Sequence, residues 1–371
     1  MDENVTTSKP IRNTSFEILR IIAMFLIIGH NFAFHGGFLF DVLEQTPIML
    51  TNWTWYNLLV QSGEACVNLF ILISAFFLIM DTGFKTKRWL YVVIQTLVFS
   101  IVLGFTFMAV NHEEITLTNV IQTLFPIGSA SWWFITIYLL LYLIHPLLNY
   151  CIKAMNRKLH FLFIIIFLLI WSLLPTLLNI GYGFSYLGWF ITLYFIASYV
   201  RLYDIKFKFK PWVGILIACV MFIGVLLIRY FLIIELDPHN EFYYLIYIWA
   251  GLGMIENFIQ VLCSITIFIC FKEIKVKPNK VVNYIASFTL AIYLFHEQPG
   301  VRKYLYHTLI NGMEFADKPY FIPLTLGIIS AIFVAGLVIG IAYKYTIGLG
   351  VKKLLDKLDK KFLHRIDDLF E

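Results

Sequence analysis

Arg20 and His30 stand ten residues apart in one apolar stretch, which runs from Phe16-Glu17-Ile18-Leu19-Arg20 to Gly29-His30-Asn31 and is long enough to cross a membrane. Ionisable groups inside a spanning helix are costly, so they mark sites more often than they decorate. On an α-helix the two positions are about 15 Å apart along the axis and roughly 80° apart around it. One helix can therefore hold a guanidinium near one membrane face and an imidazole near the other. An imidazole there is suited to taking a proton from a hydroxyl or to carrying a group covalently. An arginine at a mouth is suited to gripping a phosphorylated ligand. The plainer reading of Arg20 is a local pair with Glu17, three residues earlier. Because Arg20 aligns better with Asn31 than with His30, both can serve one cavity only if that cavity is wide.

The elements that must position these groups follow from composition. Hydrophobic residues make up 60% of the 371 and charged ones only 14%, where soluble domains carry about 25% charged. This predicts an all-α, polytopic membrane bundle. Windows of roughly 20 residues give ten spans, near 16–34, 57–80, 89–110, 131–150, 160–179, 186–203, 211–234, 245–271, 282–300 and 320–346. The segment 115–128 is too short and polar to span, which fits an interfacial or re-entrant piece. Basic residues gather in alternate loops: Lys9 and Arg12; Lys85, Lys87 and Arg88; Lys153, Arg157 and Lys158; Arg201, Lys206, Lys208 and Lys210; and the 272–280 linker. Asp41, Glu44, Glu113, Glu114, Asp237 and Glu241 fall in the others. The positive-inside rule then predicts both termini in the cytoplasm. The division expected is a membrane domain over 1–347 and an amphipathic tail over 348–371, where Val351, Leu354, Leu355, Leu358, Phe362, Ile366 and Leu369 recur at helical spacing.

With that orientation, His30, Glu64, Glu256, His296 and Arg229 fall in one outer depth band on five helices. Each has a structural reading: a buried histidine often serves as an interhelical hydrogen-bonding group, and a lone glutamate can partner an arginine. Several unpaired groups at one depth would cost several kcal/mol each, so the convergence favours a site. Glu297 and Arg302 are expected at the interface. The net charge of +5 is accounted for by the loops and calls for no nucleic acid. Five scattered cysteines lack ligand spacing, so no metal is expected, and neither a dinucleotide fingerprint nor a phosphate-binding loop occurs.

Taken together, these stretches resemble the acyltransferase 3 family of membrane acyltransferases. Arg20 and His30 match an arginine followed ten residues later by a histidine on that family's first helix. Gly63-Glu64-Ala65-Cys66-Val67-Asn68-Leu69-Phe70-Ile71-Leu72-Ile73-Ser74-Ala75-Phe76 is similar to its second-helix stretch, with Ile71 and Ala75 as departures. Trp133-Phe134 followed by Tyr142-Leu143-Ile144-His145-Pro146 resembles its fourth-helix pattern, and Ser287 to His296 its late signature, with Glu297 where a proline is common. The resemblance implies transfer of an acyl group, usually acetyl, from cytoplasmic acyl-CoA to a hydroxyl of an envelope or exported glycan, in a bacterial cytoplasmic membrane. No permanently bound cofactor is expected. His30 would act as base or acyl carrier, with Glu64 or His296 orienting it. Arg20, Glu17 and Ser74 would serve the donor; Arg229, Glu256, Trp132 and Trp133 would serve the acceptor. Relay to a distant acceptor is expected to use a separate polysaccharide-synthesis protein. The competing reading is a transporter or flippase for a lipid-linked sugar, and a third is an assembly subunit of a polysaccharide machine.

Overall fold

The computed structural model describes residues 13–36, 46–81, 83–110, 112, 115–178, 184–235, 254–310 and 312–368. Among these there is no strand. Seven helices among the described residues are long and apolar enough to cross a membrane, which makes this a multi-pass membrane protein.

The first two helices form the frame. Helix α1 spans Thr14–His35, and the Asn13 side chain caps it by accepting the Ser15 N–H. Helix α2 spans Pro47–Leu78, with Thr46 accepting from Met49 N–H and proline in the first turn. It starts ten residues before the expected 57 because this cap and proline set the boundary, whereas hydropathy registers only the apolar part. Its 32 residues make it about 48 Å long, well beyond a hydrocarbon core of about 30 Å. The two helices run antiparallel. Phe16 meets Phe76 and Phe77 at ring separations of 5.4 and 5.7 Å, and His30 meets Val60 and Gly63. A Cβ on Gly63 would lie 2.1 Å from His30 Cβ, so only glycine lets the helices approach this closely.

Around this pair stand α3 (Thr86–Val110), the short α4 (Leu117–Leu124), α5 (Trp133–Ala154) and α6 (Arg157–Leu178), which is interrupted by a π-turn at Leu169–Leu173. Helices α7 (Tyr186–Leu202), α8 (Pro211–Glu235) and α9 (Phe258–Glu273) follow. Buried polar groups tie these together. Asn68 on α2 accepts from Trp189 Nε1 at 2.9 Å and donates to the Ile255 carbonyl at 2.7 Å, which commits Asn68 to packing. Of the expected eighth span, 245–271, residues 245–253 lie outside the described residues; so do Lys9, Arg12, Asp41, Glu44, Glu113, Glu114, Asp237 and Glu241.

The expected ninth span, 282–300, is not one helix. It is broken into α10 (Lys280–Ala286), α11 (Thr289–His296) and α12 (Pro299–Lys303). At the first break the Ser287 hydroxyl donates to the Tyr284 carbonyl at 2.6 Å, a local bond that competes with the helical ladder. At the second, Gln298 Oε1 accepts the Val301 N–H at 2.7 Å ahead of Pro299, which starts a new helix in a new direction.

Helix α13 (Phe321–Tyr345) leads into α14 (Ile347–Leu358). The tail docks on the Thr86 end of α3. Val351, Leu355 and Leu363 pack on Leu90, Tyr91 and Ile94, Lys87 Nζ reaches Asp356 at 2.7 Å and Asp359 at 3.1 Å, and Thr86 N–H donates to Asp367 at 2.8 Å. The hydrogen bond from Lys87 holds the Asp356 carboxyl below its ordinary range. Leu369 lies outside the described residues.

Candidate active site

One stripe of α1 lines a cavity of about 340 Å³: Glu17, Arg20, Met24, Ile27, His30 and Asn31. Steps of three and four residues keep these positions on one face. A cavity running along the stripe therefore meets both Arg20 and His30, and the azimuthal offset between them is absorbed by its width. On α2, Glu64, Val67, Phe70 and Ser74 line it with the same spacing. The antiparallel register sets Ser74 beside the Arg20 end and Glu64 beside the His30 end. Helix α5 closes a third side with Trp133, Phe134 and Tyr138, and the broken segment brings Tyr293 and Glu297.

His30 is half-buried, and its Nδ1 lies 2.8 Å from the Val60 carbonyl oxygen. A carbonyl only accepts, so Nδ1 carries the proton and Nε2 keeps its lone pair. The ring also stacks on Phe34 at 5.6 Å. A base nitrogen with a fixed tautomer and a fixed plane can take a proton from a hydroxyl. The partner of Nδ1 was expected to be Glu64 or His296, and it is instead a backbone carbonyl of the facing helix. The close approach permitted by Gly63 puts that carbonyl within reach.

His296 is fully buried and engaged through both ring nitrogens. Nδ1–H donates to the Ile292 carbonyl at 2.7 Å, and Nε2 accepts from Asn31 Nδ2 at 3.1 Å. Its contact with α1 is thus to the residue after His30, and it orients the cavity wall at Asn31. Glu64 is buried, lines the cavity and receives Gln260 Nε2 in a long contact of 3.5 Å.

At the other end Arg20 Nη1 donates to Glu17 Oε1 at 2.9 Å, so the local pair does form. It uses one of five guanidinium N–H donors, and the side chain still lines the cavity while Glu17 is nearly buried. Ser74 donates its hydroxyl proton to the Phe70 carbonyl at 2.8 Å, so toward a ligand it can act only as an acceptor.

Of the residues expected to meet an acceptor, Trp133 lines the cavity. Trp132 is buried in the packing and does not. Glu256 stands just before α9, its carbonyl taken by the Ser172 hydroxyl at 2.6 Å, and it is also off the cavity. The Arg229 side chain lies outside the described residues. Tyr138, Tyr293 and Glu297 also line the cavity and were not anticipated as site residues. Glu297 was expected at an interface, but it is 5% exposed and pairs with Arg302 Nη1 at 3.3 Å. Its burial follows from the break before Pro299, which folds Arg302 back over it.

A family model described as an acyltransferase domain matches residues 13–344. No curated protein and no solved structure matches the chain.

Proposed function

The chain belongs to the acyltransferase 3 family, and on that premise we propose that it moves an acyl group from cytoplasmic acyl-CoA to a hydroxyl of an envelope or exported polysaccharide. That it is a membrane acyltransferase follows from the family; donor, acyl group, acceptor and sidedness belong to the proposal. The observation that carries it is the single cavity shared by Arg20 and His30.

The donor enters from the cytoplasmic side, where Arg20 grips a phosphate and Ser74 accepts a hydrogen bond from the pantetheine arm. Glu17 holds the guanidinium in place. The thioester reaches the His30 end. There His30 Nε2 takes the proton of the acceptor hydroxyl as its oxygen bonds to the thioester carbonyl carbon. The carbon–sulfur bond then breaks, the imidazolium returns the proton to the leaving thiolate, and ester and CoA thiol are the products. The Val60 carbonyl keeps the ring in the reactive tautomer throughout. Trp133 offers a flat apolar face for a sugar ring, and Glu64 and Asn31 set the polarity around the reacting hydroxyl. Acetyl is the favoured acyl group, and a separate polysaccharide-synthesis protein is the natural partner in delivering the glycan.

The test uses membranes containing the full chain, labelled acetyl-CoA and the glycan of the host. Label is expected on the glycan, and it should disappear with His30→Ala while the protein remains in the membrane. Label retained in full by that variant would remove His30 from the reaction. Altered sugar export with no transfer from any acyl-CoA would replace the proposal with transport.

A further inference from the structure

A second cavity, of about 160 Å³, lies behind the broken segment. Its walls are the far half of α3, helix α4 and the start of α12, and its polar lining includes Ser100, Gln122, Thr123, Ser131 and Gln298. Consecutive residues of the broken segment line the two cavities, Glu297 the first and Gln298 the second.

Gln298 has the features of a preorganised donor. It is 5% exposed. Its Oε1 is fixed by the Val301 N–H at 2.7 Å, and no described residue takes up its Nε2. An amide held at its oxygen, in a side chain that lines a cavity, can offer its NH₂ group to a ligand there. Gln122 of α4 lines the same cavity, and the Ser100 hydroxyl is committed to the Thr123 carbonyl at 2.8 Å. Amides and hydroxyls interleaved with the Phe107 ring and Met108 suit a ligand that carries many hydroxyls on an apolar ring, which is a sugar.

We propose that this second cavity binds the sugar unit next to the one being acylated, with Gln298 Nε2 and the Gln122 amide as its hydrogen-bonding groups. The inference rests on the acyl-transfer reading of the first cavity. It makes the enzyme a reader of chain length: a polymer or oligomer fills both cavities, and a single sugar fills one.

The experiment uses the detergent-solubilised full chain with labelled acetyl-CoA. Acceptors are glucose, N-acetylglucosamine and galacturonic acid, each beside its tetramer. The unaltered chain should transfer to a tetramer with a higher kcat/KM than to its monomer, with the gain in KM. Gln298→Glu keeps an oxygen for the Val301 N–H and replaces the NH₂ donor with a carboxyl oxygen; Gln122→Met alters the wall formed by α4. Each should lower the tetramer-to-monomer ratio by about tenfold, the scale of one lost buried hydrogen bond. A ratio within twofold of the unaltered chain in both variants would overturn the subsite, as would an unaltered chain that treats monomers and tetramers alike. An unaltered chain that transfers to none of the six would instead overturn the acyl-transfer reading itself, and the subsite with it.

Discussion

The two long walls of the main cavity are built in opposite ways. One is the α1–α2 pair, two unbroken helices whose lining residues repeat at three- and four-residue steps. The other is the segment 280–303, cut into three short helices whose breaks, not their periodicity, decide what faces inward. The unbroken wall carries the imidazole and the guanidinium at a fixed separation along one rigid element. The broken wall carries Tyr293, Glu297 and Gln298 and can change direction within a few residues. Reach along a channel calls for the first design. Shaping a pocket around a bulky ligand suits the second.

The largest expected effect tests the unbroken wall directly. His30→Ala should lower acyl transfer by about 10²–10⁴-fold, the usual worth of a positioned general base, with membrane abundance checked by immunoblot. The next loss should come from a residue with no chemistry of its own. Gly63→Ala would set a Cβ 2.1 Å from His30 Cβ, so it should reduce activity more than tenfold, in line with overpacking penalties of about 1–3 kcal/mol. Gly224→Ala, with open space around it, should match the unaltered chain in the same assay. Equal activity of the two alanine variants would show that the α1–α2 approach does not set the position of His30.

The joint between the walls is Asn31 with His296. Asn31→Leu leaves the buried His296 Nε2 without its donor, at a cost of about 1–3 kcal/mol. A thermal melt of the solubilised protein should fall by several degrees. An unchanged melt would mean that the broken wall holds its place without α1. The smallest effect lies at the tail. Because Lys87 keeps the Asp356 carboxyl below its ordinary range, the docking it supports is fully present above the usual carboxylate value. It is lost as pH falls through the lowered one. Limited proteolysis of residues beyond 347 should therefore accelerate on acidification, and Lys87→Met should show the faster cleavage already at neutral pH, with little change in transfer. Cleavage that is independent of pH in the unaltered chain would count against that ion pair as the clamp.

What the sequence determined by itself was whatever depends on spacing along one helix. Glu17, Arg20, His30 and Glu64 stood out because intramembrane polar groups are costly, Ser74 entered through the family resemblance, and all five line the cavity. The helical membrane class followed from the same physics, since a buried backbone in lipid must satisfy its own hydrogen bonds. The family resemblance supplied the reaction, and the match over residues 13–344 supports the family. What only the tertiary structure decided was which atoms meet. His30 is held by the Val60 carbonyl, a group every residue possesses and no composition reveals. His296 spends both nitrogens on Ile292 and Asn31, although its depth matched that of His30. Trp132 and Trp133 are neighbours in sequence, yet only Trp133 lines the cavity; Trp133 is the first residue of α5, and Trp132 precedes it in a non-helical conformation. Depth can be counted along the chain, but the direction a side chain faces is set by the packing of other helices against it.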